Sequence, residues 1–326
     1  MTKTVAIIGA GQIGYAAACE FFARGWDITI HARSRPSWFQ FSRAWKPYEA
    51  GRNSAPEADV VVDTIAFDED DVARYDPDRV GRLIAVSSAS VYCDQQGRTL
   101  DEGPANGYPV FDSAVTEDQA TTAPGPETYS TRKVRMENAA QDRFGDRAAI
   151  LRPCAIYGQY SRHLREWWFI KRMRDRRSRI PLLFDGRSQF QTTDVLKIAD
   201  AAAEAAESDW SGVFNVSDTN APSVREIGEA ISQFLGTPVE CVDAGDKGMI
   251  GRTPWSVPRP FIISGAKANA RLYDQSLVYE DHVSDQIAWT KDLNPADWCA
   301  AFPQLAAYPW DLFDYAAEDR FFDEGV

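Results

Sequence analysis

Apolar residues along this chain gather in short unbroken runs rather than in alternation with polar ones. Val5-Ala6-Ile7-Ile8, Val60-Val61-Val62, Leu83-Ile84-Ala85-Val86 and Ala148-Ala149-Ile150-Leu151 are such runs, as expected of parallel strands covered on both faces, where neither row of side chains meets water. Helical segments stand between them. Gln12 to Arg24 is closed by Gly25, Asp194 to Ser208 is alanine-rich, and Ser223-Val-Arg-Glu226 has capping-box spacing ahead of Ile227, Ala230, Ile231 and Phe234. Buried strands alternating with helices predict an α/β fold with a doubly wound parallel sheet, and Val213 to Val216 adds a further short strand. From Arg33 to Glu57 the chain is aromatic and polar without a clear period, so no third strand can be placed there. Cys93 to Pro126 is rich in Gly, Pro, Asp and Glu and reads as a long loop over the sheet, a lid or insertion. After about Thr237, short elements with many aromatics, among them Trp255, Phe261, Trp289, Trp298, Trp310 and Phe313, predict a smaller, mixed C-terminal lobe.

Composition narrows the function classes. The 326 residues suffice for a large buried core, and a net charge of −13 repels polyanions, so neither nucleic acid nor a membrane is expected as a partner. The five cysteines are scattered, with no CxxC pair and no histidine at metal-ligand spacing, so neither disulfides nor a metal site is suggested and a reducing compartment is. No signal-like segment and no apolar run of about 20 residues occurs, and a cytoplasmic location is expected. One stretch opposes the acidic balance: Arg162, Arg165, Lys171, Arg172, Arg174, Arg176, Arg177 and Arg179 surround a helical segment with Trp167, Trp168, Ile170 and Met173. It reads as a solvated helix face, with a docking surface for an anionic substrate as the alternative.

Three motifs carry chemistry. Gly9-Ala10-Gly11-Gln12-Ile13-Gly14 follows the first strand and opens the first helix. Glycines there permit a tight turn and close approach of backbone to a pyrophosphate at a helix N-terminus, the signature of a dinucleotide site. The second strand ends in His31-Ala-Arg33-Ser-Arg35, with no carboxylate for ribose hydroxyls and two guanidinium groups able to pair with a 2′-phosphate, so NADP is expected ahead of NAD. Tyr129-Ser-Thr-Arg-Lys133 places a phenol and an ammonium on one helix face, where the cation should favour the phenolate. Ser87-Ser88-Ala89-Ser90-Val91-Tyr92 closes an apolar strand at the sheet edge where open α/β sheets bind ligands.

Together these residues resemble the extended short-chain dehydrogenase/reductases, the NAD(P)-dependent epimerase/dehydratase family. The resemblance implies a Rossmann fold and an oxidoreductase-type enzyme, with Ser88, Tyr129 and Lys133 as the catalytic set. It also implies cofactor contacts from Gly9, Gly11, Gln12, Ile13, Gly14, Arg33, Arg35, Thr64, Ala66, Tyr129, Lys133 and Pro153. The family's Arg-Pro-x-x-Ile/Val-Tyr-Gly segment matches Arg152 to Gly158, and Ser88, Ser90, Tyr157 and Arg187 are the implied substrate contacts. Arg187 stands seven residues before Asp194, the relation in which sugar-nucleotide epimerases place a diphosphate-binding arginine. The 4,6-dehydratases follow the active-site hydroxyl with Asp and Glu; here Ala89 and Ser90 stand there, so dehydration by that route lacks its acid and base. The expected activity is epimerisation or reduction of a sugar or sugar nucleotide, with reduction of a non-nucleotide ketone or aldehyde as the alternative and a cofactor-sensing or RNA-associated regulator as the alternative of another class. Residues 1–160, rejoined by 188–218, are expected to hold the dinucleotide; 161–187 and 219–326 should form the substrate lobe, and the family's habit of pairing through the YxxxK helix suggests a homodimer.

Overall fold

The computed structural model describes residues 2–41, 44–48, 55–208, 210–272 and 278–324. Among these residues eleven strands form in chain order: β1 (Thr4–Ile8), β2 (Asp27–Ala32), β3 (Ala44–Pro47), β4 (Ala58–Asp63), β5 (Val80–Val86), β6 (Ala148–Pro153), β7 (Ala155–Tyr157), β8 (Arg179–Leu182), β9 (Thr192–Asp194), β10 (Gly212–Val216) and β11 (Glu240–Asp243). Seven of them make one sheet in the order β10-β6-β5-β4-β1-β2-β3, parallel throughout. This is the doubly wound arrangement, and the strand order reverses between β1 and β4.

The unbroken apolar runs are explained by the two cores. Val5, Ile7, Val60, Val62, Ile84 and Val86 face one side, against helices α1 (Gln12–Ala23) and α6 (Val195–Glu207). Their neighbours Ala6, Ile8, Val61, Leu83 and Ala85 face the other, against α2 (Glu69–Ala73) and α4 (Tyr129–Phe144). The short α3 (Gly103–Asn106) lies between α2 and α4 in the chain.

β3 corrects the expectation that no strand could be placed in the 33–57 region. It is a four-residue edge strand, Ala-Trp-Lys-Pro, half-buried to exposed, and an edge strand needs no apolar pattern to pair. Residues 42, 43 and 49–54 of that region lie outside the described residues.

The later elements build a second core. Helices α5 (Trp167–Arg174), α7 (Val224–Leu235) and α9 (Tyr279–Trp289) bury Trp167, Trp168, Phe169, Ile227, Ile231 and Val283 together with Trp255 and Phe302. Short α8 (Ala266–Asn269), α10 (Trp298–Ala301) and α11 (Pro303–Ala306) and the terminal α12 (Tyr315–Asp323) complete the helices. Two small parallel pairs, β7 with β9 and β8 with β11, lie outside the main sheet.

Within the basic stretch α5 itself is not a solvated face, because the helix is enclosed and its cations hold the lobe together. Arg172 is 2% exposed and Glu318 3%, joined at 2.5 Å, and Arg172 also donates to Leu312 O at 2.8 Å. Arg174 caps the carbonyls of Leu293 and Thr290 at 3.0 and 2.9 Å, and Arg177 pairs with Asp319. Among the described residues no helix is long and apolar enough to cross a membrane.

Removing one partner of a buried ion pair strands the other charge, at a cost of roughly 3–5 kcal/mol. Glu318→Ala is therefore expected to lower unfolding stability by about that amount in urea titration. The double change Arg172→Met with Glu318→Leu should recover most of the loss.

Candidate active site

The glycine turn sits where the strand order reverses. Gly9 has φ +103°, and a Cβ on it would lie 2.3 Å from Thr64 Oγ1; a Cβ on Gly14 would lie 2.2 Å from the Gly9 carbonyl oxygen. Only glycine allows α1 to start this close to the β4 exit. Gly9 N donates to His31 O at 2.9 Å and Thr64 N to Ile8 O at 3.0 Å, which closes the turn across three strands. Around Gly11 the space is open, with no atom within 4 Å of an added Cβ, and as the N-cap of α1 it supplies no side-chain cap. Gln12 Oε1 is buried without a hydrogen-bond partner among the described residues in the wall of a large cavity. Free helix N–H groups and an open glycine face fit a dinucleotide diphosphate, while the orphaned amide oxygen calls for a donor.

The other expected cofactor residues are placed unequally. Pro153 lines the same cavity. Ile13 packs half-buried against the core, Thr64 Oγ1 donates to Ile8 O at 2.8 Å, and Ala66 offers its carbonyl to Lys133. Arg33 is exposed just past the end of β2, whereas the Arg35 guanidinium lies 4.0 Å over the Phe39 ring.

Ser88, Tyr129 and Lys133 are brought together at the C-terminal edge of β5. Thr128 caps α4 through a reciprocal capping box with Thr131, which fixes Tyr129 as the first helical residue. Ser88 follows β5, caps the turn of Ala89 to Val91, and holds Ser90 Oγ at 3.0 Å. The Tyr129 ring is 43% exposed on the cavity side. Protein packed about its phenol pushes the pKa above 10, the Ser88 hydrogen bond draws it back, and the Asp101 charge raises it. Lys133 has partners of its own. The ammonium is 5.8 Å from the Tyr129 ring centroid and spends its donors on Ala66 O at 2.6 Å and Val86 O at 3.0 Å. Burial pulls the Lys133 pKa down to about 8 against the opposing pull of Asp63 and Glu137.

One further turn along the same helix face stands Glu137, which the motif reading passed over. It accepts from Ser87 Oγ at 2.5 Å and from Arg152 Nε and Nη2 at 2.9 and 2.5 Å. The Arg152 guanidinium lies 4.8 Å over Tyr92, whose hydroxyl donates to Asn215 Oδ1 at 2.7 Å. This buried chain ties β5, α4, β6 and β10 together directly beneath Ser88 and Lys133. Its signal in the sequence was the four-residue step from Lys133 to Glu137.

The cavity has a volume of about 640 Å³, and its wall includes Ser88, Ser90 and Tyr129. Arg187 does not reach it. Its side chain is 68% exposed and pairs with Asp185 and Asp246 at 3.2 and 3.9 Å, because the turn before it, with Phe184 and Asp185 at positive φ, carries it to the surface. Tyr157 is also displaced from its expected role. It is 1% exposed, packed at 4.9 Å on Tyr279, and faces a separate cavity of about 190 Å³ beside Asp194. The cations in the large cavity are instead Arg165 and Arg252. Arg165 makes a long bond to Ile156 O at 3.4 Å and neighbours Tyr308, and its Nε is buried without a hydrogen-bond partner among the described residues. Arg252 donates to Tyr108 OH at 3.2 Å and stacks 4.2 Å over Trp310. Neither meets a carboxylate within ion-pair distance among the described residues. Asp101 completes the wall opposite in charge. Arg165 belonged to the flagged basic stretch; Arg252, Tyr108 and Trp310 carried no local signal.

No protein-family model and no curated protein sequence matches the chain. Solved structures do match in fold. One is MoeE5 in complex with UDP-glucose and NAD, with TM-score 0.65 and 17% identity over 88% of this chain and 98% of that one. A second is the UDP-glucuronic acid 4-epimerase of Bacillus cereus with UDP-glucuronic acid and NAD, with TM-score 0.67 and 15% identity over 89% of this chain and 100% of that one. A third is the UDP-N-acetylglucosamine 4-epimerase of Methanobrevibacter ruminantium, with TM-score 0.66 and 15% identity over 88% of this chain and 98% of that one. At these identities the likeness establishes the Rossmann-type fold.

Because the folded Lys133 pKa of about 8 lies below the ordinary 10.5, its cation is lost as pH rises through 8. The folded state then binds fewer protons than the unfolded state, so this group's contribution to stability grows between pH 8 and 10.5 and falls away below. Parallel profiles are expected to diverge. Cofactor-dependent turnover declines above about pH 8 while thermal melts in the same buffers do not follow it down.

Proposed function

We propose that this chain is an NAD(P)-dependent epimerase of the extended short-chain dehydrogenase/reductase type, acting on a nucleotide-linked sugar. The observation that carries the reading is the convergence on one cavity of about 640 Å³ of the glycine-turn residue Gln12, of Ser88 and Tyr129, and of Arg165 and Arg252. A hydroxyl pair for a reacting alcohol and two guanidinium groups for an anionic tail suit a substrate that is polyol at one end and phosphorylated at the other. Neighbours in fold carry UDP-sugars and NAD, which agrees with that chemistry.

The residues divide the work as follows. Gly9, Gly11, Gln12 and Gly14 with the α1 N-terminus would hold the diphosphate of the cofactor, and Pro153 would border its reactive end. When bound, that cofactor supplies a hydride acceptor and donor and, oxidised, a positive charge beside the phenol. Ser88 Oγ holds the substrate oxygen and Tyr129 Oη takes its proton as the alcohol becomes a ketone. Tyr129 returns that proton when the ketone is reduced on its other face. Lys133, locked to the carbonyls of Ala66 and Val86, keeps a positive charge below the reacting atoms.

A second reading is reduction of a simple ketone or aldehyde. Its support is the surface position of Arg187 and a phenol held protonated, the form that donates a proton to a carbonyl. Ala89 and Ser90 leave the serine strand without the acid and base a dehydratase would place there.

The test is turnover of UDP-glucose and UDP-N-acetylglucosamine with NAD and with NADP. Tyr129→Phe should reduce the rate by roughly a hundred- to ten-thousandfold with fold and cofactor affinity kept, while Arg187→Ala should leave it within about twofold. Loss of neither rate nor affinity in Tyr129→Phe, or turnover of simple ketones alone, would remove the epimerase reading.

The coenzyme preference is proposed to be NADP, read by Arg33. Arg33→Ala should weaken NADP about tenfold or more in a binding titration and NAD hardly at all. Equal losses would exclude Arg33 from 2′-phosphate recognition.

A further inference from the structure

Asp101 lies in the 93–126 segment, which the sequence presents as a loop, yet it forms part of the wall that also carries Ser88, Ser90 and Tyr129. One of its oxygens is committed. Asp101 Oδ2 accepts the backbone N–H of Ser130 at 3.0 Å, in the first turn of α4 next to Tyr129, where a helix N-terminus welcomes negative charge. Ser130 is itself fixed, its hydroxyl donating to Ser90 O at 2.8 Å. The other oxygen, Oδ1, has no hydrogen-bond or ion-pair partner among the described residues.

The segment that delivers it is anchored rather than loose. Buried Asp94 receives the N–H groups of Gln96, Arg98 and Val110 at 2.9, 3.0 and 3.0 Å and the Arg98 guanidinium at 2.7 Å. Single bridges join Tyr92 to Thr121 and Val115 to Ile263. Its reach across the site is completed by Tyr108, which meets Arg252. Asp101 therefore stands at a set place beside the phenol, whose pKa registers its charge.

A carboxylate accepts hydrogen bonds and donates none, so a group presented to Oδ1 must be a donor, and a second carboxylate there would face like-charge repulsion. We propose that Asp101 is a specificity-determining contact: its free oxygen accepts a hydrogen bond from a substrate hydroxyl flanking the carbon that reacts at Tyr129, and its charge turns away substrates with a carboxylate at that flank. The substrate class in this statement rests on the epimerase reading above. The anionic part of the substrate belongs with the cations of the same wall, Arg165 and Arg252, so the cavity selects both the presence of a negative charge and its position.

UDP-glucose and UDP-glucuronic acid are the probes, because they differ only in a hydroxymethyl or a carboxylate beside the epimerised carbon. The wild-type cofactor-loaded enzyme should prefer UDP-glucose. Asp101→Asn, of the same size but uncharged, should lower the ratio of kcat/KM for UDP-glucose over UDP-glucuronic acid by about tenfold or more. A ratio unchanged in the variant overturns the proposal. If the wild-type enzyme turns over neither sugar nucleotide, the functional reading fails, and the placement of Asp101 is decided without substrate. Nitration of Tyr129 by tetranitromethane, followed by peptide mass across pH, reports its phenolate. In Asp101→Asn the half-maximal pH should move down, since a charge that raises the phenol pKa is gone; an unmoved profile overturns the proposal as well.

Discussion

A parallel sheet buried on both faces must send every connection back over one of those faces, so all its strands end at the same edge. That constraint organises this molecule. The apolar runs of β1, β4, β5 and β6 leave little room for chemistry within the strands, and polar residues gather where the strands stop. Gly9 follows β1, Asp63 ends β4, Ser87 and Ser88 follow β5, and Cys154 follows β6. Because the strand order reverses between β1 and β4, the crossover helices part there and a cleft opens above the ends. The glycine turn and the serine strand meet across it for the same topological reason.

Charge inside the fold follows from the cost of burying it. Lys133, Arg152 and Arg172 are nearly inaccessible, and each is surrounded by oxygen acceptors: carbonyls for Lys133, Glu137 for Arg152, Glu318 and Leu312 O for Arg172. Buried charges so satisfied fix geometry more than they add stability. Against that background Arg165, Arg252 and Asp101 stand out, since they face the cavity and lack a charged partner among the described residues. The wall of the cavity thus carries unpaired charge of both signs. Burial raises the phenol pKa, and the Asp101 charge adds to that rise.

Much of this was legible in the chain. Strand and helix identity came from local pattern, since a parallel strand covered on both faces shows a run of apolar residues, and Thr128 and Ser223 announce helix starts through capping boxes. The meeting of Ser88 and Tyr129 also agreed with motif order, because Ser88 follows a strand and Tyr129 opens a helix in a fold whose topology admits few alternatives. The edge strand β3 was not legible: an edge needs neither apolar face, so Ala44–Pro47 carries no period to read.

The sequence by itself thus determined the sheet, its winding, the glycine turn and the Ser88, Tyr129 and Lys133 set, all of which depend on short-range patterns and on connection rules. Only the tertiary structure decided which charges reach the cavity. Arg187 matched a spacing yet is turned to the surface by the positive-φ turn before it, and the cations of α5 became struts because the C-terminal helix α12 closes over them. Arg252 and Asp101 reach the site from segments with no periodicity. Spacing along a chain fixes a direction only within one regular element; across a loop, the direction of a side chain is set by what the loop packs against.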